Sequence, residues 1–96
     1  MMSLQAIKDI VVPLAKKYGL ERVFLFGSYA RGEATDKSDI DFRIDRGSMR
    51  GLKFCGFYSD MENALHLPLD ILTTQQLPQK FLDAISKEEI LLYERD

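Results

Sequence analysis

Gly27-Ser28, ten intervening residues and then Asp39-Ile40-Asp41 form the segment best equipped for chemistry. Residues i and i+2 of a strand project from one face about 7 Å apart, which makes Asp39 and Asp41 near neighbours. At that separation two carboxylates repel by roughly 2 kcal/mol at an effective dielectric of about 20, so a cation between them relieves the pair. Hard oxygen donors of this kind suit Mg²⁺ or Mn²⁺, which bind one or two carboxylates together with substrate phosphates. Gly27 permits close backbone approach, and Ser28 with the N–H groups that follow can hold phosphate oxygens at the start of a helical turn. Taken singly, an Asp-x-Asp is equally a solvated strand face and a Gly-Ser equally a strand-ending turn. Coupled, they bring phosphate and metal chemistry together.

The elements that must position these residues are legible in the periodicities. Leu4, Ile7, Ile10, Val11, Leu14 and Tyr18 share one side of a 3.6-residue wheel, with Ser3 as N-cap and Gly19 as the C′ residue. Pro13 interrupts this amphipathic helix on its polar side, where a bend is expected. Val23-Phe24-Leu25-Phe26 is wholly apolar and reads as a central strand buried on both faces. Ser38 to Asp45 alternates, placing Ile40, Phe42 and Ile44 on one face and Asp39, Asp41, Arg43 and Asp45 on the other. After Gly47-Ser48 the stripe Phe54, Phe57, Tyr58, Met61, Ala64, Leu65 marks a second long helix, in which Gly51 and Gly56 each cost about 1 kcal/mol. Leu69–Thr73 is a strand candidate carrying one charge, Asp70. Pro78 opens a short helix through Phe81, Leu82 and Ile85. Ile90–Tyr93 reads as an edge strand, although Ser86-x-x-Glu89 also resembles a capping box. The expected fold class is α/β (α+β), a small mixed sheet covered by helices, in one domain spanning residues 1–96.

Composition removes several function classes. The chain is 46% hydrophobic and 29% charged, a balance that supports a packed core. A net charge of −2 lacks the basic excess that drives binding to a phosphate backbone, so no direct nucleic-acid partner is expected. One cysteine, Cys55, and one histidine, His66, rule out an internal disulfide and a His/Cys zinc site. No apolar run approaches the ~20 residues of a membrane span, and a cytoplasmic setting without membrane attachment is the expectation. Two familiar motifs also fail. Gly27 to Gly32 has Walker-like glycine spacing, but Glu33 and Ala34 stand where Lys and Ser/Thr are needed. Arg43 likewise replaces an oxygen ligand of an EF-hand loop.

The stretch from Leu25 through Gly27-Ser28, Ala30-Arg31-Gly32 and Asp39-Ile40-Asp41 resembles the signature of the DNA polymerase β-like nucleotidyltransferase superfamily. In particular it is similar to the minimal nucleotidyltransferases (MNT, MntA-like antitoxins), with looser likeness through Arg50-Gly51-Leu52, Leu69-Asp70-Ile71 and the Leu91-Leu92-Tyr93-Glu94 ending. The resemblance implies a nucleotidyltransferase fold in which Gly27 and Ser28 bind the nucleotide triphosphate. Asp39 and Asp41 would ligate two Mg²⁺ (or Mn²⁺) ions, and Asp70 would be the third carboxylate, from a neighbouring strand. Asp45 and Asp60 compete for that last role, but Asp70 alone is a lone charge in an apolar strand run, where it is costly unless aimed at a cation. The implied reaction moves AMP from ATP to an acceptor hydroxyl, with Asp70 as a candidate general base. Arg31 is either a triphosphate contact or the partner of a carboxylate such as Glu33. Arg43 pairs with Asp45 or touches substrate. Tyr29 stacks on a base or packs, Arg50 and Lys53 are read as solvated helix charges, His66 as a surface or capping residue, and Cys55 as partly exposed or in a dimer contact.

The family also implies a partner. Larger relatives add a helical domain for the acceptor, whereas minimal members act on a companion HEPN toxin by transferring AMP to its tyrosine, as a type VII-like antitoxin. Two alternatives stand beside this: a binding protein that neutralises its partner by occlusion, and a small-molecule nucleotidyltransferase whose acceptor pocket requires a homodimer.

Overall fold

In the computed structural model, which describes residues 2–96, Ser3 caps the first helix, α1 (Leu4–Lys17), its Oγ accepting from the Ala6 N–H at 3.1 Å. Lys16 and Lys17 complement the C-terminal end of the helix dipole, and Gly19 follows at φ +70°. Pro13 is exposed and the helix is continuous through it. Ile7, Val11 and Ala15 form its buried stripe, while Leu4 is 45% exposed.

Four strands follow in a mixed sheet: β1 (Arg22–Phe26), β2 (Ile40–Asp45), β3 (Leu69–Thr73) and β4 (Ile90–Glu94), in the order β3-β2-β1-β4. The first is central, antiparallel to both β2 and β4, and β3 runs parallel to β2. Helix α2 (Gly27–Arg31) starts directly at the end of β1, α3 (Lys53–Leu65) crosses between β2 and β3, and α4 (Gln79–Ile85) precedes β4. Val23, Leu25, Ile40, Phe42 and Ile44 pack without exposure in one core with Ile7 and Val11 of α1 and Phe57 and Met61 of α3.

That core takes one sheet face, and the other carries the charges. On it Arg22 stands opposite Asp45, Phe24 opposite Arg43, Phe26 opposite Asp41, and Asp41 opposite Asp70. The expected two-sided burial of β1 is therefore met in an unexpected way. Phe24 is half-buried under the Arg43 guanidinium, 4.0 Å above its ring, and Phe26 packs edge-on against Phe81 of α4 at 6.0 Å. A cation and a single aromatic cover the second face where a helical layer would have lain.

Two further expectations are adjusted and two are met. Strand β2 begins at Ile40 because Ser38 is held in a turn, its Oγ accepting from the Thr35 N–H at 2.8 Å. Gly51 lies ahead of α3 at φ +57°, in a turn that favours glycine, so only Gly56 weakens the helix. Pro78 is the N-cap of α4. Ile90–Glu94 is a strand, and Ser86 closes α4 by donating to the Asp83 carbonyl at 2.8 Å.

Candidate functional site

The site is built where the end of β1 meets the starts of β2 and β3. Gly27 turns the chain out of β1 at φ +75°, and a Cβ there would collide with the Asp41 carboxylate. Glycine is therefore required twice over, by backbone sign and by the acid pressed against it. The turn presents the first N–H groups of α2, and the Gly27 N–H points to Glu88 Oε1 at 3.4 Å. Ser28 is half-buried, and its carbonyl accepts from the Glu33 N–H at 2.9 Å.

Asp41 and Asp70 are direct partners across the parallel β2–β3 pair, and Asp39 lies just ahead of β2, close enough for its charge to act on Asp41. Asp41 is half-buried and its carboxyl is held above the usual carboxylate range, first by burial and then by the like charges of Asp70 and Asp39, with Arg31 opposing. Among the described residues, these three acids make no hydrogen bond or ion pair. The Tyr58 ring stands beside them, its OH donating to the Leu69 carbonyl at 2.6 Å, and its phenol is pushed upward by burial and by the charges of Glu62, Asp70 and Asp39.

The competing carboxylates are already engaged. Asp45 accepts from Arg22 at 2.7 Å and meets Arg43 at 3.5 Å, while Asp60 accepts from Tyr18 at 2.6 Å and Lys17 at 3.1 Å. Arg43 is mainly an ion-pair residue, but its principal partner is Glu89, gripped at 3.0 and 2.7 Å, with Thr74 at 2.8 Å. Arg31 bonds Glu33 at 2.8 Å and Glu88 at 3.0 and 3.2 Å, so its carboxylate-partner role is realised. His66 is the left-handed C-cap of α3, and Cys55 is exposed.

Glu88 is the site residue that local patterns do not reveal. It lies 61 residues from Gly27, and its sequence neighbourhood signals only a helix end. Its carboxylate lies between the Gly27 N–H, at 3.4 Å, and Arg31, at 3.0 Å, so an anionic oxygen faces this turn.

A cation fits the donor set, because Asp41, disfavoured as an anion first by burial and then by the charges of Asp70 and Asp39, is relieved by positive charge. No three His, Cys, Asp or Glu side chains among the described residues form a ready-made metal cage. Mg²⁺ commonly takes only one or two carboxylates, with phosphate oxygens and water completing its shell. At the far end of the same face lies a cleft of 560 Å³ lined by Arg22, Phe24, Arg43 and Asp45, whose charges are paired with one another. No helix among the described residues is long and apolar enough to cross a membrane.

Residues 8–96 match the family model described as "Polymerase beta, Nucleotidyltransferase". The chain is 31% identical over 90 residues to "Putative protein adenylyltransferase MJ0435" of Methanocaldococcus jannaschii, covering 93% of this chain and 97% of the relative. It is 28% identical over 95 residues to "Protein adenylyltransferase MntA" of Thermococcus cleftensis, covering 94% and 96%. A solved structure of a "putative minimal nucleotidyltransferase" superposes with a TM-score of 0.80 at 30% identity, over 93% of this chain and 95% of that one. A chain from a toxin–antitoxin crystal structure with AMP-PNP superposes with a TM-score of 0.78 at 17% identity, over 93% and 74%, which shows a shared fold.

Proposed function

The chain belongs to the polymerase beta nucleotidyltransferase family, and from that premise we propose that it transfers AMP from ATP to a hydroxyl, a tyrosine, of a HEPN-domain toxin, acting as a type VII-like antitoxin. The observation that carries this reading is the register that sets Asp41 against Asp70, with Asp41 pressed upon the Gly27 turn. Acid ligands and phosphate-binding backbone thus share one corner of the sheet. The names of the relatives, protein adenylyltransferases, and the toxin–antitoxin assembly of a structural neighbour support the acceptor and the partner.

Asp39, Asp41 and Asp70 would hold Mg²⁺, which when bound supplies neutralisation of the triphosphate charge and a lowered pKa for the acceptor hydroxyl. The chain's own residues do the rest. The Gly27 and Ser28 N–H groups donate to oxygens of the phosphate tail, which displaces the Glu88 carboxylate from the Gly27 N–H. Arg31, released from Glu88, is then free to donate to a phosphate oxygen while keeping Glu33. Asp70, exposed on the edge strand β3, would take the acceptor proton.

The test is incubation of the protein with ATP, Mg²⁺ and the HEPN protein, followed by intact mass measurement. The expected result is a partner heavier by one or more AMP moieties, with pyrophosphate released. An unmodified partner whose toxicity is still suppressed would replace this reading with neutralisation by occlusion.

A further inference from the structure

Four of the six arginines are paired with carboxylates: Arg22 with Asp45 and Glu94, Arg31 with Glu33 and Glu88, Arg43 with Asp45 and Glu89, and Arg95 with Glu21. The two that meet no carboxylate among the described residues, Arg46 and Arg50, line one cleft of 230 Å³. Arg46 Nε is buried without a hydrogen-bond partner, the one such side-chain atom among the described residues. An unsatisfied charged donor is costly, and an anion drawn from the cleft to the same guanidinium offsets that cost. Arg50 is held in place by its own loop, donating to the Gly47 carbonyl at 2.7 Å and the Met49 carbonyl at 2.9 Å. Thr73 and Gln76 add polar groups to the wall and Phe54 an apolar one, and no acid lines the cleft.

We propose that this cleft is an anion site for a phosphoryl group, carried by a small phosphate ester or by free phosphate. Two guanidinium groups match a dianion in charge, and their planar forks match its oxygens in geometry. The site is separate from the nucleotide corner. Arg46 follows the C-terminal end of β2 and Thr73 ends β3, whereas Asp41 and Asp70 stand near the starts of those strands, roughly 15 Å away along the sheet. The inference does not depend on the proposed transfer reaction, because the cleft contains none of its residues.

The test is a titration of the ¹⁵N-labelled protein with inorganic phosphate, ionic strength being held constant with chloride. The probes are the Arg46 Nε–H resonance and the Thr73 and Phe54 amides. A saturable shift at these positions is expected, weakened at least tenfold in Arg46→Gln and in Arg50→Gln, each with an otherwise unchanged spectrum. Phenyl phosphate in a parallel titration separates an ester from the free ion by which half-saturates first. Absence of a saturable shift in the unaltered protein would overturn the site, as would shifts confined to Gly27–Arg31. Shifts that persist in both variants would do the same. The titration of the unaltered protein decides the matter even if one variant fails to fold.

Discussion

Asp41 carries the main electrostatic tension of the molecule. It is half-buried, faces Asp70 across the strand pair and presses on Gly27, and its pKa is raised by burial and by its acidic neighbours. A carboxyl raised in the folded state contributes stability below its unfolded pKa and loses it as pH rises through the folded value. In chelator at neutral pH, Asp41→Asn is therefore expected to melt above the unaltered protein, the gap closing as acid protonates Asp41. Thermal denaturation followed by circular dichroism across pH checks this. A lower melting point for the variant would remove the electrostatic account. The same substitution should reduce AMP transfer by at least about a hundredfold, since several kcal/mol of charge stabilisation is withdrawn at about 1.4 kcal/mol per factor of ten. The Asp-x-Asp spacing and the Gly-Ser turn made these residues visible in the sequence. Glu88 was not, because nothing local links it to Gly27.

Strand β2 is the element on which both faces depend. Its even positions build the core and its odd positions the charged surface, and Arg43 ties that surface to the rest of the chain through Phe24, Glu89 and Thr74. Arg43 and Glu89 are each 11% exposed in their side chains and bonded through two N–H groups, a geometry far stronger than a surface pair. Arg43→Ala leaves the Glu89 carboxylate without its main partner and strips the cover from Phe24. A loss of about 3 kcal/mol in urea unfolding is expected. A loss below about 1 kcal/mol would show that Arg43 behaves as an ordinary surface charge. The alternation announced this strand and its ionised face, but it could not say which acid Arg43 would choose. Asp45 lies two residues away in sequence, yet the segment linking α4 to β4 delivers Glu89 to a better angle.

At the scale of the whole molecule, one continuous core beneath a mixed sheet holds the fold, and the acidic corner lies outside it. Removal of divalent ions should therefore leave the secondary structure intact. Mg²⁺ at ten times its dissociation constant should stabilise the protein by about 1.4 kcal/mol, an effect EDTA reverses. Loss of the folded circular dichroism spectrum in EDTA would mean that the ions are structural. The chain's periodicities, its Gly-Ser turn and its acid spacing determined by themselves the main helices, the strands and the Asp39–Asp41 pair, since each is expressed within a few neighbouring residues. Only the tertiary structure decided that Asp70 stands in register with Asp41, that Glu88 closes on the Gly27 turn and that Arg46 and Arg50 share a cleft. These are pairings between distant segments, set by strand order and packing, for which no local sequence pattern exists.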